Sequence, residues 1–524
     1  MILSFRFISG RLLMVFFGSV LLATCINSNT AWTQQAQAEL GHLQLTILDE
    51  GGERLACRVH LRDSQDHPVQ APGLPFFRDH FVCDSPVQLQ LISGEYHFEI
   101  ERGCEYEPVA GSVRLEPGQK HAVEVTLQRI AHASEKGWFS GDLHIHRPLQ
   151  DIRLLMRAED LHVAPVITWW NNNNHWTTET IPKDGTVQHF DGDRFINVMA
   201  GEDEREGGAL MYFGLTMPLA ISGASREYPS PLKFVDQADQ QNPNVWLDIE
   251  KPFWWDVPAW IASGRMDSVG LANNHMCRNK MYEDEAWGFP RDEQRLLAPR
   301  GNGYWTQEIY YHLLNTGNRL PPSAGSASGV LPNPVGYNRV YVHCDGELTY
   351  HKWWQNLRAG RCFVTNGPIL YCHANGQLPG HVFQHAKQLD LKLDLSLLSN
   401  DAVQDIEIIR DGKVVKIISL ADKHRAHNTA NLSFQKSGWF LARAITTVPY
   451  TFRFASTGPF YVEIGEKSQR ISRHSAQFFL DWAQQRRKRI IKAMSDPRKR
   501  EEVVRHHDRA IRYWQEKCDL AKVE

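Results

Sequence analysis

Two histidines spaced as His144-Ile145-His146 carry the clearest chemical signal in this chain. They follow the strand-like run 138–140, and the side chains of a strand point alternately to its two faces. Both imidazoles should therefore lie on one face, where a single metal ion could bind to both. Neutral imidazole binds zinc, iron, nickel and copper, so the pair does not select a metal. Two ligands do not complete a metal site, and two polar side chains on one strand face remain the alternative.

Five segments of the chain resemble motifs of a known protein family and occur in the same order as in that family. They are GDLHIH (141–146), GEDE (201–204), the helix-and-loop run 304–329, GRCFVTNGPIL (360–370) and NGQLPG (375–380). They resemble the PHP superfamily (polymerase and histidinol phosphatase type) and, within it, the CehA/McbA family of metallohydrolases. The resemblance covers about residues 137–465. It implies a distorted (β/α)7 barrel with its site at the carboxyl ends of the strands.

The resemblance implies a metal site that is reduced in this chain. The first ligand pair of the family falls on His144 and His146, and a carboxylate ligand falls on Glu202. Two histidines and a glutamate form a known catalytic zinc site, and non-haem iron also uses two histidines and a carboxylate. We therefore expect one divalent ion, either zinc or iron or manganese. The family's other ligand positions are occupied here by Trp169, Trp170, Ala209, Lys251, Ala327 and Gly329.

Two further residues are predicted to be catalytic. Asp142 is predicted to orient a metal-bound histidine from outside the ligand set. His275 ends the strand-like run 269–275, where the sites of barrels lie. Water activated by the metal would attack an ester, an amide or a phosphoester. A structural role is the alternative for both residues, as it is for the nearby polar residues His175, Asp203, Asp248, Glu250 and Asn274.

Lys251 stands where the family has a metal-binding histidine. Its ammonium group is predicted to pair with Glu202 or Asp248 and to replace the charge of a lost metal ion. Like charges about 4 Å apart repel strongly, so Lys251 argues against a cluster of several metals. The same ammonium group could also hold an anionic ligand.

Trp169, Trp170 and Asn171 are predicted to bind a ligand, with Lys251. Indole faces favour sugar rings or aromatic compounds, and the asparagines at 171–174 offer hydrogen bonds to hydroxyl groups. Core packing is the alternative for the tryptophans. These residues support a second hypothesis, a non-catalytic binding protein for a carbohydrate or a cell-surface ligand. A third is glycoside cleavage by paired carboxylates among Asp203, Glu204, Asp248 and Glu250.

A chain of 524 residues should contain several domains, because single cores stop growing at about 250–300 residues. Alternating apolar and polar residues predict a β-sandwich over 39–132 and a second β-domain over 373–470. Strands alternating with helices over 133–372 predict the multidomain α/β class, with the barrel in the centre. Apolar spacing predicts C-terminal helices over 471–524.

Residues 1–38 are predicted to be a signal peptide. Arg6 and Arg11 precede a short apolar run, 12–23, and Ala36-Gln37-Ala38 offers a cleavage site. The alternative is a lipoprotein signal with the lipid on Cys25. Either reading predicts a secreted or periplasmic protein without stable membrane insertion. Export permits disulfides, but the spacing of the other eight cysteines selects no pairing.

The charge distribution gives no reason to expect a nucleic-acid partner. The formal net charge is −3, and the basic run RRKR (486–489) is predicted to be a solvated helix face. We expect the partner to be a small-molecule or glycan substrate.

Overall fold

The computed structural model describes residues 40–465 and 470–524. The predicted signal peptide and Cys25 lie outside the described residues. Within the described part of the chain, no helix combines the length and the apolar character that a membrane crossing requires. The eight cysteines of this part are free thiols.

The N-terminal domain is formed by two β-sheets. The alternation read from the sequence is seen in the first strand, where Leu43, Leu45 and Ile47 are buried between more exposed neighbours. The strands are β1 (Leu40–Leu48), β2 (Cys57–Asp63), β3 (Phe76–Phe77), β4 (His80–Cys83), β5 (Val87–Ile92), β6 (Gly94–Glu101), β7 (Val109–Leu115) and β8 (Lys120–Thr126). One sheet has the order β5-β1-β8 and the other β3-β4-β2-β6-β7. Their facing side chains form one core.

The central domain alternates strands and helices. Its strands are β9 (Trp138–Gly141), β10 (Val163–Trp170), β11 (Asn173–Asn174), β12 (Val187–Phe190), β13 (Arg194–Arg205), β14 (Gly208–Phe213), β15 (Trp246–Ile249), β16 (Ser268–Ala272), β17 (Pro322–Ala324), β18 (Arg339–His343) and β19 (Cys362–Thr365). Its helices are α1 (Ile152–Ala158), α2 (Pro231–Gln241), α3 (Val257–Ala262), α4 (Gly301–Asn315) and α5 (Tyr350–Arg358).

These strands close into a barrel. Strands β9, β10 and β13 are parallel, β14 runs antiparallel to β13 and β15, and β15, β16 and β17 are parallel. The ring is completed where Ile145 bridges both Val166 and Ser328. Because the carboxyl ends of the parallel strands lie at the same end, the segments after β9, β10, β15, β16 and β17 meet there.

The chain ends with a second β-domain and two helices. The strands are β20 (Ile369–Ala374), β21 (Val382–His385), β22 (Leu389–Leu398), β23 (Val403–Arg410), β24 (Lys413–Ser419), β25 (Arg425–Phe434), β26 (Gly438–Thr446), β27 (Phe454–Thr457) and β28 (Phe460–Ile464). One sheet has the order β20-β22-β25, and the other joins the central sheet where β27 pairs with β19. The predicted helices are confirmed as α6 (Arg473–Ala493) and α7 (Pro497–Asp519), and Asp496 caps the second.

Helix α6 is attached to the central domain by an ion-pair network around Arg486. This side chain is 1% exposed and donates from Nε to Asp256 (2.6 Å) and from its other nitrogens to Glu227 (2.6 and 3.0 Å). The prediction of a solvated basic face is therefore wrong for Arg486. Its neighbour Arg487 fits that prediction better, since it is about a third exposed and pairs with the equally exposed Asp508.

Replacing Arg486 by glutamine should lower the free energy of unfolding by about 3–5 kcal/mol, because the Asp256 carboxylate would stay buried without its cation. Arg487→Gln is the matched control and should cost less than about 1 kcal/mol, because its ion pair is exposed to solvent. Chemical denaturation of the two variants measures both values. Equal losses would show that the Arg486 network does not hold α6.

Candidate metal site

His144, His146 and Glu202 meet at the carboxyl ends of the barrel strands. The two Nε2 atoms are 2.9 Å apart, and Glu202 Oε2 lies 3.4 Å from His144 Nε2 and 3.2 Å from His146 Nε2. At zinc–ligand distances of about 2.0–2.1 Å, two ligand atoms of a tetrahedral site lie about 3.3 Å apart. The three side chains, called the triad below, thus have the spacing of one face of a zinc site.

Small residues after β17 allow the histidine segment to fit into the barrel wall. The His146 amide donates to the Ser328 carbonyl (2.8 Å), and the Leu143 amide donates to Ala324 (3.0 Å). A Cβ atom at Gly325 would lie 2.5 Å from His144 Cβ, and one at Gly329 would lie 2.5 Å from the His146 carbonyl oxygen. Side chains at these two positions would push the histidines away from Glu202.

The triad is buried, and Glu202 has an unpartnered oxygen. The residue is 3% exposed, and its Oε2 atom accepts no hydrogen bond from the described residues. Burial opposes the charged form of His144, but Glu202 and Glu250 outweigh this effect and raise its pKa to about 10. Burial likewise opposes the charge on Glu202, but His144 and His146 hold its pKa well below the usual range. A carboxylate in this environment requires a proton or a cation beside it.

Glu250 lies next to His144, on the side of the ring opposite Nε2. It directly follows β15, and its Oε1 lies 3.4 Å from His144 Nδ1. A carboxylate at Nδ1 favours the tautomer in which Nε2 is free for a metal. The other oxygen accepts bonds from Lys251 (2.5 Å) and from the Trp254 indole (3.0 Å). From the sequence, Glu250 was considered as a nearby polar residue and as a carboxylate for glycoside cleavage, but not as a partner of His144; its place directly after a strand was the available signal.

The predicted pairing of Lys251 with Glu202 or Asp248 is wrong. The ammonium group pairs with Glu250 and lies 4.6 Å from the centre of the Trp254 ring. Asp248 instead accepts hydrogen bonds from the hydroxyls of Ser268 and Ser323, and burial raises its pKa to about 6. Glu202 therefore remains directed at the two histidines.

Asp142 positions the backbone and does not contact an imidazole ring. Its carboxylate accepts bonds from the backbone amides of His144 (3.0 Å), Ser326 (3.0 Å) and Gly336 (2.7 Å). These bonds fix the loop that carries His144 against the segment after β17. The predicted role of Asp142, to orient a metal-bound histidine, stays a prediction, and its bond to His144 is to the backbone amide of that residue.

His275 lies in the wall of the cavity in front of the triad. Its Nδ1 is 3.1 Å from the Asp284 carbonyl oxygen, and its ring packs between Phe253 and Tyr282. Burial and the nearby Lys251 lower its pKa to about 3, so the imidazole is neutral. The catalytic role of His275 stays a prediction.

The three predicted ligand-binding residues at the end of β10, Trp169, Trp170 and Asn171, have different environments. Trp169 is 2% exposed and packs against Tyr212 in the core, because consecutive residues of a strand point to opposite sides. Trp170 lies 5.1 Å from the His146 ring and donates to Glu204 (3.1 Å). Asn171 exchanges hydrogen bonds with the backbone of Glu204 (2.8 and 3.0 Å). Of the three, Trp170 alone lines the cavity at the triad.

This cavity has a volume of about 230 Å³. Aromatic rings form much of its wall, and Glu204 is an acidic group in it beside the triad. Burial and the charge of Glu202 raise the pKa of Glu204 to about 7, although Lys251 opposes the shift. Two residues that were not singled out from the sequence also line it, namely Tyr282 and Trp287.

The carboxylates considered for glycoside cleavage do not form a free pair. Asp203 is fully buried and accepts two bonds from Arg205 (2.6 and 2.7 Å). Asp248 is occupied by two serine hydroxyls, and Glu250 by Lys251 and Trp254. Glu204 is left without a second acid of that set.

A second cluster with metal-binding residue types lies in the N-terminal domain. Asp79 lies 3.3 Å from His60 Nδ1 and 2.9 Å from His80 Nδ1. The Arg58 Nε–H group donates to His60 Nε2 (3.2 Å), so the proton of neutral His60 is on Nδ1 and points to Asp79. No lone pair of His60 is then free for an ion. Arg58 thus occupies Nε2 of His60 in this cluster, whereas in the triad no hydrogen bond from the described residues reaches Glu202 Oε2.

No family model and no curated protein sequence matches the chain. Among solved structures, fibronectin(III)-like modules of Clostridium thermocellum CbhA are 15% identical with a TM-score of 0.13, covering 18% of this chain and 96% of theirs. The CARDB domain of PF1109 from Pyrococcus furiosus is 16% identical with a TM-score of 0.14, and the match covers 19% of this chain and 97% of that domain. The TIE protein of Bacillus anthracis is 8% identical with a TM-score of 0.14, and the match covers 81% of this chain and 50% of that protein. Similarities this weak say nothing about the function.

The two clusters should differ in zinc binding. After loading and gel filtration, elemental analysis should find about one equivalent of zinc in the protein. His144→Ala and Glu202→Gln should lose it, because each removes one corner of the triad. Asp79→Asn is the control and should keep it. Zinc that survives both triad variants and disappears in Asp79→Asn would contradict the assignment.

Zinc binding should become tighter with rising pH. His144 keeps its proton up to about pH 10 in the metal-free protein, and a metal must displace that proton. The apparent affinity should therefore rise about tenfold per pH unit between pH 7 and 9, as measured by competition with a chelator of known affinity. Glu250→Gln removes one carboxylate that raises the pKa of His144. In this variant the zinc affinity should therefore stop rising at a lower pH than in the unaltered protein. An affinity that is constant over this range would rule out proton displacement.

Proposed function

We propose that this protein is a hydrolase of the PHP superfamily, similar to the CehA/McbA family, that uses one divalent metal ion. The triad holds the ion, and its composition and spacing favour zinc. One observation carries the proposal: three buried ligand atoms lie 2.9–3.4 Å apart, and the carboxylate oxygen among them has no hydrogen-bond donor. In this proposal the predicted signal peptide exports the enzyme to the periplasm or the medium.

The side chains around the triad have separate tasks in this reaction. A bound zinc ion would lower the pKa of a water molecule towards about 7. Glu250 Oε1, 3.4 Å from His144 Nδ1, would favour the tautomer that leaves Nε2 free, and Asp142 fixes the loop that carries His144. Glu204 lines the cavity wall, where burial and the charge of Glu202 raise its pKa to about 7 in the metal-free protein, and its carboxyl group can exchange a proton there. His275 stays neutral and can take part as a hydrogen-bonding group.

The cavity indicates a substrate that presents one small group to the triad. Its volume of about 230 Å³ is below the range of about 300–1,000 Å³ that is typical for whole ligand pockets. Only part of a substrate therefore enters it, as an ester, amide or phosphoester at the end of a small molecule or glycan would.

A non-catalytic binding protein is the second candidate, because aromatic rings line the cavity. Trp170, Tyr282 and Trp287 would contact the flat face of a sugar. On this account no metal is needed, and the affinity for a carbohydrate would depend on Trp170. The metal content of the purified protein distinguishes the two candidates.

Zinc-loaded protein should hydrolyse at least one compound of a panel of chromogenic esters, amides and phosphoesters. Glu250→Gln should lower kcat/KM by about 10–100-fold, because the orientation of His144 would be lost. Glu206→Gln is the control, since Glu206 directly follows β13, the strand that carries Glu202, and its carboxylate pairs with Arg226. Activity that is unchanged by His144→Ala, or by removal of the metal, would refute the proposed function.

A further inference from the structure

Arg147 is a buried cation without an anionic partner. It directly follows His146 and is 7% exposed. Within the described residues, its guanidinium group forms no ion pair and no hydrogen bond. Its one defined contact is with the Phe77 ring of the N-terminal domain, 4.8 Å from the ring centre.

The other buried arginines of the described chain are all paired. Each of these seven contacts at least one carboxylate. They are Arg58, Arg102, Arg205, Arg291, Arg339, Arg443 and Arg486. A buried unpaired cation is costly, and an aromatic ring compensates less than a carboxylate does.

Arg147 lines a groove of about 350 Å³ that is separate from the triad cavity. His146 and Trp170 line both spaces, so the groove and the cavity are neighbours. The other polar groups of the groove include Asn173, Asn174 and His175. No aspartate or glutamate lines it, so nothing in the groove competes with an incoming anion.

We propose that this groove binds an oxyanion group of the substrate through Arg147. A guanidinium group donates two parallel hydrogen bonds to a carboxylate, a phosphate or a sulfate, which share this recognition chemistry. The amide groups of Asn173 and Asn174 can donate further bonds. Resting on the proposed function, the inference identifies the substrate as a small anionic compound. Its charged group lies in the groove, and the bond to be cleaved reaches the triad past Trp170.

The anion site can be tested without the metal. Chelator-treated protein is titrated calorimetrically with inorganic phosphate, sulfate and acetate, which also shows which oxyanion binds best. Arg147→Met should weaken binding of that anion about ten- to a hundredfold, and Arg147→Lys should weaken it less. Arg153→Gln, which removes a cation outside the groove, is the control and should bind as the unaltered protein does. An affinity unchanged in Arg147→Met overturns the proposal.

A stability measurement separates a binding role from a structural one. Without added anion, Arg147→Met should have a Tm equal to or above that of the unaltered protein, because it removes a buried charge and leaves no carboxylate unpaired. Arg486→Gln should instead lower the Tm, since its two carboxylates would lose their partner. A drop in Arg147→Met like that in Arg486→Gln would mean that Arg147 is structural, and the proposal fails.

The two proposals can fail separately. With zinc-loaded protein, Arg147→Met should raise KM for mono(4-nitrophenyl) succinate and leave KM for the neutral 4-nitrophenyl acetate unchanged. Arg147-dependent anion binding in a protein that binds no zinc supports the anion site, although the hydrolase proposal is then lost. Zinc-dependent activity with equal KM values in the variant and the unaltered protein overturns the anion site alone.

Discussion

Glu202 is a buried carboxylate whose negative charge must be balanced inside the protein. The groups that reach its free oxygen are the Nε2 atoms of His144 and His146. The balancing charge is therefore either a proton on His144 or a cation bound by all three residues. Glu250 serves both states, because it stabilises the imidazolium form and also selects the tautomer that leaves Nε2 free.

The charges around this centre are distributed in a way that suits an anionic substrate. Lys251 compensates Glu250 directly, so the second carboxylate beside His144 does not require a second metal ion. A divalent ion in the triad would outweigh the single negative charge of Glu202. Arg147 adds a further cation in the neighbouring groove. Anions are therefore attracted to both spaces.

The local sequence determined much of the architecture. Alternation predicted the strands of both β-domains, and the spacing of His144 and His146 placed both imidazoles on one face, as observed. Apolar spacing predicted the C-terminal helices, and in the structure Asp496 caps the second of them. These features depend on the periodicity of the backbone, which the chain carries in its residue order. The assignment to the PHP superfamily came from motif resemblance alone and remains a proposal.

Tertiary structure decided which partner each polar group meets. Periodicity assigns a residue to a face of a strand or helix but does not say what packs against that face. Lys251 forms its ion pair with Glu250 and not with Glu202 or Asp248. Arg486 is buried because Asp256 and Glu227 face α6 and pair with it. Arg147 was left without a carboxylate by the same packing. The spacing of His144 and His146 in the sequence was enough to place their imidazoles together. Only the tertiary structure shows that Glu202 meets them and that the buried Arg147 has no carboxylate partner among the residues that the structure describes.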